Sequence, residues 1–252
     1  MTSSTTKSNL KPILRIVVPL IFWIAIYEII ALIINNNYFF PHIDLVFSSL
    51  IAITTGATFF KVCAMTLLRI LVALLTGTIL GITLGILSAK FNAIYYLLNP
   101  FMTAIKATPV ASLIIVLWIM LSGEILPIVI ALFMIMPIIW QSTYNSFDTI
   151  DKGLYEVAEI FELPQKYRFS LLYLPNIKKY LIPSLITSVG LAWKSEIATE
   201  IIAYTRNSIG QLINDGKYNL DTPTVFAWTF IVIVFSIIFE SVTKMLIGRY
   251  KV

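Results

Sequence analysis

The chain has 252 residues, 58% of them hydrophobic and 12% charged, with a net charge of +5 and a mean hydropathy of +0.89. About a quarter of a globular chain is normally charged, so this composition excludes a soluble domain and predicts an integral membrane protein. One cysteine, Cys63, excludes an internal disulfide, and a single histidine, His42, excludes a His-based triad or a multi-His metal site.

In chain order, residues 1–12 are polar and rich in Ser and Thr and are expected to form a tail ahead of a membrane domain over 13–252. Ile13 to Ile34 is the first apolar run, long enough at about 1.5 Å per residue to cross a hydrocarbon core of about 30 Å. It is too long for a signal-peptide core, lacks a small-residue cleavage site and is followed by further spans, so it reads as retained. Pro41 to Phe60 is a mixed segment suited to the interface. Further spans are expected at Val62–Ala89, Tyr95–Met120, Ile125–Tyr144, Leu181–Tyr204 and Thr224–Ile247. The fold class is therefore all-α and polytopic, with about six transmembrane helices.

The second span carries Ala73, Gly77, Gly81, Gly85 and Ala89 at four-residue intervals. Such a small-residue face lets another helix backbone approach closely, either inside one subunit or at a seam between copies. In the third span Pro100 and Pro109, and in the fourth Pro127 and Pro137, are expected to interrupt the helix, as membrane helices tolerate. Lys106 and Lys194 are read as lying near mid-helix, where a charge costs about 3 kcal/mol. Each either faces a watery route or pairs with a carboxylate from another helix, such as Glu28, Glu196 or Glu240. Glu196 and Glu200 are four apart and share a helix face.

The only long polar interval runs from 148 to 180. Leu154, Ala158 and Phe161 give a short helix one apolar face. Pro164 can open a second helix at its first position, with Phe169 and Leu172 as its stripe and Leu174-Pro175 as its end. Such a pair of amphipathic helices can dock another protein, or form a solvated loop with a membrane-hugging helix. Of the eighteen Lys and Arg residues, an N-terminus inside puts Lys7, Lys11, Arg15, Lys90, Lys152, Lys166, Arg168, Lys178, Lys179, Lys244, Arg249 and Lys251 on that side. Lys61, Arg69, Arg206 and Lys217 fall outside or near that face. The bias predicts both termini and the 148–180 loop in the cytoplasm.

That loop resembles a motif of the permease subunits of bacterial binding-protein-dependent ABC importers: Glu-Ala-Ala, three residues, Gly, nine residues, Ile-x-Leu-Pro. Here Glu156-Val157-Ala158, Glu162 and Leu172-Tyr173-Leu174-Pro175 match its spacing, with Val157, Glu162 and Leu172 departing in type. The family's Gly turns the chain between the two helices, so Glu162 stands at the turn and Leu163-Pro164 offers another way to make it. Ala107-Thr108-Pro109 through Leu121-Ser122-Gly123-Glu124, and Gly190-Leu191-Ala192-Trp193 through Glu200, extend the likeness to roughly 41–213. These residues resemble the permeases for nitrate, taurine and alkanesulfonates, a group that includes uptake systems for thiamine precursors.

The resemblance implies a coupling helix, with Glu156, Val157, Ala158, Phe161, Glu162, Leu174 and Pro175 contacting an ATPase subunit and Leu154 and Tyr155 as further anchors. It implies an external substrate-binding protein and a second permease copy, all in a lipid membrane and without nucleic acid. Lys106, Pro109, Lys194, Glu196 and Glu200 are the expected path residues, and Gly77, Gly81 and Gly85 the expected packing face. No Gly-x-x-x-x-Gly-Lys-Ser/Thr run is present, so no cofactor is expected on this chain and ATP would be bound by the partner. The expectation is a transporter rather than an enzyme, since Ser195 and Lys194 are adjacent on a helix and face apart. A stand-alone secondary transporter coupled through Lys194, Glu196 and Glu200 is the alternative, although no internal repeat supports it.

Overall fold

The computed structural model describes residues 10–248, and among these every regular element is helical. Residues 1–9 of the expected tail lie outside the described residues, as do Lys7, Arg249 and Lys251. From Leu10 the chain is already helix. Helix α1 (Leu10–Ile34) stops where Asn35 turns left-handed at φ 46°, a conformation asparagine enters more readily than most residues.

Among the described residues, it is the end of α1 that is tied to its neighbours. The Tyr27 hydroxyl donates to Pro41 O at 2.8 Å, and Glu28 meets His42 Nδ1 at 2.7 Å and accepts from Ile43 N. Tyr27, Phe40 and Phe226 form an aromatic cluster above these bonds. Helix α2 (Ile43–Thr55) occupies the mixed segment and packs on α11 (Thr222–Gly248). Its 13 residues rise only about 20 Å, too short to cross.

Helices α3 (Phe59–Lys90), α6 (Leu126–Asp148) and α9 (Leu174–Ile202) form the heart of the bundle. The glycine face of α3 lies on α6 in a matched four-residue register. A Cβ added to Gly77, Gly81 or Gly85 would stand 3.1, 2.7 or 2.5 Å from the Cβ of Ile135, Ile139 or Thr143. The small residues therefore seat one helix on another within the subunit, since only a missing side chain permits that approach. Trp140 Nε1 donates to Ser88 Oγ across the same seam, and Trp140 stacks on Tyr95 of α4 (Asn92–Ala107).

Of the four prolines expected to interrupt helices, only Pro109 does. Helix α4 gives way to α5 (Val110–Trp118) at a bend of 104°. Pro109 has no N–H to donate and holds Thr108 in extended backbone, while Thr108 Oγ1 and N both bond Ala104 O and close off α4. Pro127 occupies the first turn of α6, where its missing N–H has no helical acceptor to lose. Pro100 and Pro137 lie inside continuous helices.

Four described helices are long and apolar enough to cross a membrane, and a fifth span is reached if α4 and α5 count as one. Helix α9 supplies the sixth expected span by length, 29 residues or about 43 Å. Lys178, Lys179, Lys194, Glu196 and Glu200 keep it from the apolar class. It packs on α6 and α3 with Ser188, Ser195, Glu196, Thr199 and Glu200 buried, so these polar groups face protein, while Lys178, Lys179 and Lys194 are exposed.

The expected end at Leu174-Pro175 does not occur. After α7 (Lys152–Ile160), a short α8 (Gln165–Arg168) runs through a π-helical turn (Phe169–Tyr173) directly into α9. Pro175 falls in the first turn of α9, where a wider i→i+5 turn has just ended and its missing N–H is tolerated.

Candidate functional site

Two clusters stand at opposite ends of α9. At its start, α7 is capped by Asp151, whose Oδ1 accepts from Gly153 N at 2.7 Å and Leu154 N at 3.3 Å. Its other end is a Schellman closure: Leu163 N bonds Ala158 O and Glu162 N bonds Glu159 O. Glu162 takes the left-handed conformation this closure requires, at φ 47°. Glu162, where the resembling motif has glycine, thus makes the turn itself at a backbone cost, and Leu163-Pro164 does not substitute for it.

Ala158 is buried, whereas Leu154 and Phe161 of the expected stripe are exposed, together with Tyr155, Val157 and Ile160. Glu156 is also exposed. Glu156, Tyr155 and Glu159 line a pocket of about 770 Å³ with Asp148, Lys90 and Tyr173. Leu174 and Pro175 open α9 beside it, and the next residue pins the helix in place: Asn176 Nδ2 donates to Ser146 O at 2.7 Å. Arg168 Nε donates to Leu163 O at 2.9 Å and closes the loop between α7 and α8.

At the other end of α9 lies a buried ionic cluster. Glu200 is fully buried and accepts from Thr66 Oγ1 at 2.8 Å, Arg69 Nη1 at 3.2 Å and Gly210 N at 3.2 Å. Arg69 Nη2 also donates to Glu124 Oε2 and Arg206 O, each at 3.0 Å. Gly210 belongs to α10 (Ile209–Tyr218) and sits so close to α9 that an added Cβ would meet the Glu200 Cβ at 2.4 Å. The first amides of α10 are all used: Ile209 N bonds Thr66 Oγ1, Gly210 N bonds Glu200 and Gln211 N bonds the Ser208 cap. Residues 66, 69, 124, 200 and 210 therefore join four parts of the chain.

The expected path residues do not gather into one constellation. Lys106 is exposed in the last turn of α4, at the α4–α5 bend rather than mid-helix, and Pro109 forms that bend. Lys194 is exposed on α9 while Glu196 and Glu200 are buried on another side. Neither lysine forms an ion pair among the described residues; Glu28 is taken by His42 and Glu240 by Lys244. Glu196 is completely buried, and neither of its oxygens has a hydrogen-bond partner.

Arg69, with Thr66 and Glu124, is the part that sequence reasoning missed. Its charge lies inside a span rather than at a membrane face, and intramembrane charge was the signal available. The 209–218 helix was missed as well, being short and carrying Asp215 and Lys217.

The family described as "Binding-protein-dependent transport system inner membrane component" matches residues 81–252. The chain is 24% identical over 180 residues to a putative aliphatic sulfonates transport permease protein, SsuC, of Bacillus subtilis (strain 168), covering 71% of this chain and 64% of that protein. It is 23% identical over 162 residues to probable ABC transporter permease proteins of Brucella melitensis biotype 1 and Brucella abortus (strain 2308), covering 63% of this chain and 64% and 63% of theirs. The match spans less than two thirds of the length of each of these relatives. The family covers more than half of the chain, including α7, α9 and the Glu124, Glu200 and Gly210 members of the ionic cluster but not Thr66 or Arg69, and the apolar helices make the protein multi-pass. The chain belongs to the inner membrane components of binding-protein-dependent transport systems, the permeases of ABC transporters.

Proposed function

We propose that the chain forms the translocation path of an ABC importer for a small solute, driven by a separate ATPase subunit that binds the ATP. The observation that carries this reading is α7: a capped helix between two bundle helices that exposes Leu154, Tyr155, Val157, Ile160 and Phe161 beside Glu156. Exposed apolar groups around a polar anchor suit a protein partner. Glu156, Val157, Ala158, Phe161, Glu162, Leu174 and Pro175 are the proposed coupling residues. The distribution of Lys and Arg supports α7 and both termini in the cytoplasm, with residues 1–12 as a tail and 13–252 as the membrane domain in this reading.

An external binding protein delivers the solute, and a second permease copy completes the path. The solute is a small anion such as nitrate, a sulfonate or taurine, or a thiamine-precursor-like molecule. The sulfonate name of the Bacillus relative supports the first, as do Lys106 and Lys194, exposed and without an ion pair among the described residues, on the helices expected to cross the membrane. The test is purification in mild detergent beside Glu156→Arg. An ATPase that accompanies the wild type and is lost from the variant supports coupling through α7. A folded protein without an ATPase in either sample refutes the importer reading and favours a secondary transporter.

A further inference from the structure

Arg69 holds the α10 end of the bundle together. It spans Glu200 on α9, Glu124 in the turn before α6 and the Arg206 carbonyl in the segment before α10. Glu124 is the exposed member, with 55% of its side chain accessible, while Glu200 is fully buried. One helical turn deeper, about 6 Å along α9, Glu196 is sealed from solvent with both oxygens unused. Residues 196 and 200 share a helix face, and Glu200 is the one of the two that Arg69 holds, at 3.2 Å. Buried carboxylates are ordinarily paired. This one carries none of the bonds that hold the present arrangement together. A carboxyl acceptor idle here, one turn of α9 from the carboxylate that holds Arg69, is suited to a second arrangement of the same helices.

We propose that Glu196 is the second seat of the Arg69 guanidinium, and that the exchange opens the α10 end of the bundle during transport. Moving Arg69 by one turn of α9 releases Glu124 and the Arg206 carbonyl, and so frees the turns before α6 and α10. One-turn shifts between packed helices are an established form of two-state switching. The inference rests on the importer reading above, in which this end faces outward.

The test uses the reconstituted complex with its ATPase and binding protein, in a Cys63→Ser background carrying Thr205→Cys. Thr205 is buried and donates to Gly123 O at 2.9 Å, inside the region held closed. Labelling by a membrane-impermeant maleimide is compared without nucleotide and after trapping with ATP and vanadate. The background protein labels several-fold faster when trapped, Glu196→Gln stays at the nucleotide-free rate, and Glu196→Asp restores the rise. In the resting state Glu196→Gln melts no lower than wild type, whereas Glu200→Gln melts lower. A Glu196→Gln protein that opens like wild type, or melts as low as Glu200→Gln, overturns the exchange. No rise in the background protein also overturns the exchange, and leaves the importer reading to the co-purification test above.

Discussion

Replacing Glu162 by glycine should tighten the turn that presents α7. Glu162 is at φ 47°, in the left-handed region, at the position following the last residue of the α7 cap. A side chain there costs about 1–2 kcal/mol, and removing it recovers that amount in the closed state. Glycine also loosens the open state by about 0.5–1 kcal/mol. The difference leaves a net gain of about 0.5–1 kcal/mol, which slows local opening about two- to five-fold, because 1.4 kcal/mol corresponds to tenfold at room temperature. The amides to follow are those of Glu162 and Leu163, which bond Glu159 O and Ala158 O. Hydrogen exchange followed by mass spectrometry in detergent reads them directly. Glu162→Ala is the control: it removes the carboxylate but keeps Cβ, and should not gain protection. A glycine variant that exchanges as fast as wild type, or an alanine variant protected equally well, refutes the argument from backbone conformation.

Gly85→Ala should lower the thermal midpoint by an amount equivalent to about 1–3 kcal/mol, because its Cβ would lie 2.5 Å from Thr143 Cβ and 2.9 Å from Trp140 O. Gly190→Ala, with nothing within 4 Å of the new atom, should leave the midpoint unchanged or slightly raised in the same melt. Glu200→Gln removes a fully buried partner of Arg69 and should cost about 3–5 kcal/mol, the usual penalty for stranding one member of a buried pair; a shift of under a tenth of that in chemical denaturation contradicts the cluster's role. Outside the membrane-spanning helices, the Tyr204 hydroxyl donates to Asp215 at 2.5 Å, and this bond pushes its pKa above the usual tyrosine value of 10.0. The bond's contribution is therefore complete below pH 10.0 and lost as pH rises through the raised value. The ultraviolet difference titration of wild type against Tyr204→Phe should show one late-ionising phenol.

Much of this arrangement is readable from side-chain pattern. The apolar runs mark four of the helices within a few residues because a lipid-facing helix must be apolar throughout, whereas α9 starts at Leu174 rather than Leu181 and the Tyr95–Met120 run is broken at Pro109. The four-residue glycine ladder of α3 is equally plain in the sequence, but the identity of its partner, α6, comes only from tertiary packing. Pro109 and Pro175 look alike in the sequence and act differently. Pro109 follows a residue held extended and breaks the helix, whereas Pro175 falls in an opening turn and does not. With the N-terminus inside, span order alone puts Arg69 outside or near that face. Its true neighbours, Glu124 and Glu200, are 55 and 131 residues away, and local periodicity carries no information at that separation. Likewise, the left-handed turn at Glu162 is invisible to a reading that expects only glycine there.

The π-helical turn between α8 and α9 sets a phase between two otherwise independent pieces. A π turn accommodates one residue more than an α turn without ending the rod. Each residue of an α-helix advances the chain by about 100° around its axis. The surplus residue between Phe169 and Tyr173 therefore fixes the compass bearing at which α7 and its exposed aromatics point relative to the buried carboxylates of α9. Deleting one residue there would leave the sequences of α7 and α9 intact, yet swing the two out of alignment by about a quarter of a revolution.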